Sequence, residues 1–313
     1  MSDSTITARV WELPGRLWQL RPEACGLLTA LNERVWQVGD PVLLELVRVR
    51  VAQLIGNPVA VRARAPVSAA SPAEQDVVDL TEQFVIDVGG TTEQMRAGLT
   101  ARFGTDGARE LVTAVYVVEF TQRLQVMASR LLDDALAAPA ESLAVAGLLA
   151  VADASPAGLL DAYQAAVVRG STLDPVTTEL VRLRCARTHH CRICQTLRLA
   201  DARAAGVDES MTAKVDFYER SDLPERAKLA LRVTDAFITR PDLLSDAMAG
   251  QARAAFGPAE LASLSLDITK WSTQKIKVAL GTDGADRLVT DADGVALFGF
   301  DSDGQAAGYR RRP

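Results

Sequence analysis

DPVLLELVRVRVA (residues 40–52) and DPVTTELVRLRCA (residues 174–186) agree at nine of thirteen positions without a gap. Agreement of that density inside one chain marks an internal repeat, in which one supersecondary unit is used twice. Two further pairs follow in the same order: FVIDVGGTTEQMRAGLTARFG (84–104) with FITRPDLLSDAMAGQARAAFG (237–257), and TQRLQVMA (121–128) with TQKIKVAL (273–280). The offset between copies grows from 134 to 153, so the second copy carries about nineteen extra residues, and they fall just after Cys191 and Cys194.

The local pattern within the copies is helical. Leu173, Val176, Leu180 and Leu183 step by three, four and three, which places them on one face of a helix that Pro175 can start. Ile193, Leu197, Ala200 and Ala204 continue that rhythm until Gly206, which predicts one helix beginning at the Cys-x-x-Cys. Asp208 is a candidate N-cap for a helix burying Met211, Val215 and Tyr218. Pro224 can open the next helix, which ends before Pro241, and Pro258 another, with Leu261, Leu264, Ile268 and Trp271 on one face and Gly281 past its end. No stretch alternates convincingly as a strand. The expected fold is all-α, two tandem helical units. Its parts are an N-terminal arm (1–20) containing Trp11 and Trp18, a degenerate first repeat (21–140), a second repeat with the Cys-x-x-Cys (141–281), and a tail (282–313). The tail is rich in Asp and Gly, ends in Arg310, Arg311 and Arg312, and reads as irregular apart from a short hairpin in LVTDADGVALFGF; no chemistry is expected in arm or tail. A length of 313 residues suits two cores.

Composition narrows the function. Hydrophobic residues make up 48% and charged residues 24%, so the chain reads as an ordinary globular protein rather than a disordered or fibrous one. The net charge of −6, with basic and acidic residues interspersed, repels nucleic acid and anionic membrane. The first residues lack a basic start followed by an apolar run, and no segment approaches 18 uninterrupted apolar residues, so a cytoplasmic location is expected. Three of the four cysteines, Cys185, Cys191 and Cys194, lie within ten residues of one another, unlike the spread staples of a disulfide scaffold.

The chemistry concentrates in ELVRLRCARTHHCRICQTLR, residues 179–198. A thiol at the first turn of a helix faces unpaired N–H groups and the positive dipole end, which stabilise its thiolate. A second thiol three residues on can close a short disulfide, so Cys191 and Cys194 suit two-electron exchange. Arg198, four residues after Cys194, is expected directly above it on the helix. There a permanent cation would favour Cys194 as the attacking thiolate and leave Cys191 as resolver. His189 and His190 can pass protons near neutral pH, and Glu179 can fold back as a base or orient a histidine. The competing readings are two buried inert thiols, or zinc held by both cysteines with a histidine, for which the spacing is cramped. The first copy argues against inert thiols, because Asn57 and Ala60 stand where the cysteines would be, although Glu45 matches Glu179. Cys185 and Cys25 read as core residues. No cofactor and no metal is called for.

From Glu179 through Cys191 and Cys194 to TQKIKVALG, these residues resemble the carboxymuconolactone decarboxylase and alkylhydroperoxidase D-like superfamily. The resemblance covers both halves and implies an all-helical fold, assembly as a homo-oligomer, and thiol-dependent reduction of hydroperoxides or disulfides, with a protein or small-thiol electron donor restoring the dithiol. Glu179, Cys191 and Cys194 stand at the motif positions, whereas Arg198 occupies the place of a histidine that helps deprotonate the thiol. Arginine cannot accept that proton, though it can hold a thiolate already formed. The alternatives are a non-catalytic helical assembly or redox-sensing module, and a lyase of the decarboxylase type.

Overall fold

The computed structural model describes residues 12–57, 69–132 and 155–310. Trp11, Ala60, Arg311 and Arg312 lie outside the described residues, as do parts of both expected repeat spans. The opening DPV of each quoted stretch is a helix-start device. Asp40 accepts hydrogen bonds from the amides of Val42 and Leu43 and caps α3 (Pro41–Ile55), which follows α1 (Gly15–Leu20) and α2 (Pro22–Val38). Asp174 does the same for α7 (Pro175–Thr188), after α6 (Pro156–Arg169). Each cap contributes about 1 kcal/mol, and proline at the first turn costs no hydrogen bond because that N–H would be unpaired anyway.

After α3 come α4 (Pro72–Asp87), a 3-10 turn (Val88–Gly90) and α5 (Glu93–Leu131), which bends at Gly104, where φ is 73°. The second half continues from α7 into a short-element insert: α8 (Arg192–Thr196), strand β1 (Leu197–Leu199), α9 (Ala200–Ala204), α10 (Glu209–Ala213) and a 3-10 stretch (Lys214–Arg220). It then runs through α11 (Glu225–Ile238), a 3-10 turn (Pro241–Leu243), α12 (Asp246–Ala255), α13 (Pro258–Trp271), a 3-10 turn (Ser272–Gln274) and α14 (Lys275–Ala279). Outside the insert, α6, α7, α11, its 3-10 turn, α12 and α13 follow in the same order as α2, α3, α4, its 3-10 turn and the two arms of α5, whereas α1 and the 3-10 turn and α14 after α13 have no separate counterpart. Gly104 in the first stands where the break between α12 and α13 falls in the second.

The fold is all-α but for one small sheet. β1 pairs in parallel with β2 (Ala296–Phe300), in the register Leu197 with Ala296, and β2 pairs antiparallel with β3 (Ala306–Ala307). Among the described residues the tail carries two short strands, where it was expected to be irregular apart from a short hairpin, and the third strand, β1, stands where a helix was expected. The cause is range: Leu197–Leu199 finds its partner nearly a hundred residues away, which no local alternation signals. The hairpin also falls later than expected. Asp291 does fold a tight turn by accepting from the amides of Asp293 and Val295. The antiparallel partner of β2, however, comes after the next turn, which Asp301 builds in the same way by accepting from the amides of Asp303 and Gln305.

Two separate cores are not observed. One main apolar cluster runs through both halves, including Leu28, Val47, Phe84, Val115, Phe120, Tyr163, Val181, Phe237 and Leu264, with Leu17 and Trp18 of the N-terminal segment in it. The reason is packing geometry: α2 lies on α6 and α5 on α13, so like-placed helices of the two halves bury their apolar faces against each other. Through this interface passes a buried ion cluster. Glu119 on α5 is fully buried and receives Arg123 Nε at 2.8 Å and Lys275 Nζ at 2.7 and 2.9 Å. Arg123 also donates to the carbonyls of Phe237 and Thr239, tying α5 to the end of α11.

Removing one member of such a cluster leaves the others charged and unpaired in a dry interior. Glu119→Gln is expected to lower unfolding free energy by about 3–5 kcal/mol in a denaturant titration; a loss below about 1 kcal/mol would show that the two halves do not depend on this contact.

Candidate functional site

The site forms where α7 ends. Thr188 closes the helix, His190 turns the chain back in the left-handed region with φ of 54°, and Cys191 becomes the N-cap of α8. The Cys194 amide donates to Cys191 Sγ at 3.3 Å. Cys191 and Cys194 are joined in a disulfide, their Cα atoms 5.3 Å apart. Cys191 is fully buried, whereas Cys194 keeps 9% of its surface and lines a cavity of about 340 Å³.

Arg182 holds this arrangement together. Its Nε and Nη2 meet the two carboxylate oxygens of Glu179 at 2.6 and 2.8 Å, Nη1 donates to the Cys194 carbonyl at 2.8 Å, and Nη2 also reaches the Leu197 carbonyl. The guanidinium lies over the Phe298 ring, 5.5 Å from its centroid. Glu179 therefore reaches the cysteine segment through Arg182, with both of its oxygens accepting from that one side chain. The first half keeps the same bidentate pair, Glu45 with Arg48, at 2.6 and 2.7 Å. Where Cys191 has its counterpart, Asn57 is buried and donates to Gln122 and Gln125, an amide network with no redox chemistry.

The other expected site residues are more scattered. Arg198 does not sit a turn above Cys194, because α8 stops at Thr196 and residues 197–199 pair with β2 instead. The Arg198 guanidinium grips Glu209 at 2.8 and 3.0 Å and the carbonyls of Gln195 and Leu197, tying β1 to α10. His189 is buried and shares a hydrogen bond with Ser272 Oγ at 3.1 Å. Burial, with the charges of Lys275 and Arg123 adding to it, holds its pKa well below the usual histidine value. His190 is exposed, with Nδ1 3.9 Å from Asp87 of the first half. Cys185 and Cys25 are buried as expected, and burial pushes the Cys185 thiol up to about 12.

Several site residues come from segments that carried no signal. The tail clamps α8: the Asp283 carboxylate accepts from the Arg192 amide at 2.9 Å and from its guanidinium, and the Asp283 carbonyl accepts from the Ile193 amide. Phe298, Phe300 and Tyr309 wall the cavity, and Gly304 lies so close to α6 that a Cβ there would sit 2.5 Å from the Ala165 carbonyl oxygen. Lys270, buried on α13, also faces the cavity. Only the apolar spacing of α13 was readable. That Lys270 interrupts the buried run LSLDITKW was the available clue. Among the described residues no cluster of potential ligands suits a metal ion, and no helix is long and apolar enough to cross a membrane.

The profile described as the carboxymuconolactone decarboxylase family matches residues 154–215, which hold α6, α7 and the cysteine pair. Two uncharacterized proteins of Mycobacterium tuberculosis, one from strain CDC 1551 and one from strain H37Rv, are each 36% identical to the chain over 240 residues, covering 73% of this chain and 82% of theirs. No solved structure matches the chain.

A depressed histidine shapes the response to acid. The unfolded chain binds a proton at His189 below about pH 6.5, whereas the folded chain does not, so stability present above that pH is lost as it falls. Unfolding free energy is expected to drop between pH 6.5 and 5, and by less in His189→Gln; an equal drop in both would mean that His189 is not held neutral.

Proposed function

Because the chain belongs to the carboxymuconolactone decarboxylase family, we propose that it is a thiol-dependent oxidoreductase that reduces hydroperoxides or disulfides through a Cys191/Cys194 dithiol–disulfide cycle. The observation that carries this reading is the disulfide itself: one sulfur is buried at a helix start, and the other opens onto a cavity.

In the hydroperoxide reaction, the Cys194 thiolate attacks the terminal oxygen of the O–O bond. The alcohol leaves with a proton, and Cys194 becomes a sulfenic acid. The Cys191 thiolate then attacks that sulfur, water departs and the disulfide closes. A donor dithiol, from a protein or a small molecule, attacks Cys194 Sγ and expels Cys191 as thiolate; its second thiol completes the exchange, so the donor leaves oxidised and the pair reduced. Exposure supports Cys194 as the sulfur that meets both partners. The Cys194 amide and the start of α8 would stabilise a Cys191 thiolate, which favours Cys191 as leaving group, since the lower-pKa thiol leaves faster. The cation of Arg198 has no part in this assignment, being spent on Glu209; Arg198 and Glu179 act as positioning residues. We take the shared element order and the sequence repeat to mean that the chain is a tandem of two helical units, with the chemistry confined to the second.

The test traps each single variant with hydroperoxide and a sulfenic-acid probe. Labelling is expected to persist in Cys191→Ser and vanish in Cys194→Ser. Labelling in Cys194→Ser alone would reverse the roles, and labelling in neither would remove the hydroperoxide reaction.

A further inference from the structure

We propose that the cavity beside Cys194 is a binding site for a monocarboxylic acid with an apolar body, its carboxylate held by the Lys270 ammonium. Lys270 is only 5% exposed and faces the cavity, yet among the described residues its Nζ has no hydrogen-bond or ion-pair partner. The ammonium instead rests against aromatic faces, 3.3 Å from the Trp271 centroid and 4.5 Å from that of Phe300. Ring faces replace part of an ammonium's lost hydration but cannot replace oxygen acceptors. A ligand anion in the cavity supplies them.

The surroundings fix the ligand's class. Asp267, one turn back on the same helix, is engaged by Ser171 Oγ at 3.0 Å and makes no ion pair with Lys270 within 4 Å. Arg182 places four of its five N–H donors on Glu179 and two carbonyls and also lines the cavity, where its charge adds to the field that favours an anion. Burial pushes the Lys270 pKa down, with Asp267 opposing that fall and Arg182 adding to it; a bound carboxylate would restore the charged form. Beyond Lys270 the lining is mixed, with Ile193, Leu197, Trp271, Phe298 and Phe300 giving an apolar wall and Arg182, Lys277 and several amides a polar one, and about 340 Å³ suits a compact hydrocarbon body. Binding stands independently of turnover. That such an acid, carrying a hydroperoxide or disulfide, is also what the dithiol reduces rests on the reading above.

Calorimetric titration of the oxidised full-length protein with octanoate and with octanol tests the binding without calling on redox chemistry. Octanoate is expected to bind at least about tenfold more tightly than octanol, as a charge-assisted contact requires. Lys270→Met should erase that preference while leaving octanol binding in place, and Lys270→Arg should retain it. Equal affinity of the wild-type protein for both compounds, a comparison that needs no variant, would overturn the proposal. So would a preference for octanoate that survives in Lys270→Met.

Discussion

The Arg182 guanidinium is the contact on which the site depends. Burying it with Glu179 costs several kcal/mol of desolvation for each charge, and a lone pair of ions would not recover that cost. Arg182 offsets it with four of its five donors: two go to Glu179, and two to the carbonyls of Cys194 and Leu197. Those carbonyls lie at the end of α8 and the start of β1. One side chain therefore sets where the cysteine turn ends and the strand begins, and its flat face receives Phe298 from the tail. The first half keeps Glu45 and Arg48 in the same bidentate pair but has Asn57 in place of the first cysteine. The ion pair thus belongs to the scaffold. What the second half has besides is the cysteine pair at the start of α8 and the short elements that follow it, down to the 3-10 stretch.

The second constraint is long-range closure. Without β2, the parallel pairing of β1 is lost; without Asp283, the first turn of α8 loses the acceptor for its Arg192 amide. The same tail residues wall the cavity and bring Phe300 against Lys270. A segment with no reactive side chain of its own thereby shapes the space into which Cys194 opens. Coupling between halves is equally direct, since Glu119 of one binds Lys275 of the other, and His189, near the cysteine turn, feels both Lys275 and Arg123.

What could be read from residues alone follows from physical range. The start of α7 was legible because proline at a first turn is a local device, and the helices were legible because their apolar spacing is local. Glu179, Cys191 and Cys194 were legible as a constellation of residue types at a fixed spacing. Arg198 was misplaced for a reason the spacing hides: Ile193, Leu197 and Ala200 keep helical period, yet pairing with Ala296–Phe300 draws residues 197–199 into a strand. Periodicity cannot report a partner nearly a hundred residues away. Phe298, Phe300, Asp283 and Lys270 were missed for the same reason, since each acquires its role only when distant elements meet. The main core shared by both halves was missed because a length that suits two cores says nothing of how the apolar faces of the halves meet.

The central claim is that Cys191 and Cys194 together carry two electrons to a small oxidant at this cavity. Its most direct measurement is a thiol count on the denatured protein before and after one equivalent of organic hydroperoxide is added to the reduced, folded form. The account predicts a fall from four free thiols to two, with one equivalent of alcohol released, and no such fall when Cys191 and Cys194 are both serine. Unchanged thiols in the wild-type protein, or alcohol released at the same rate by the double variant, would contradict it.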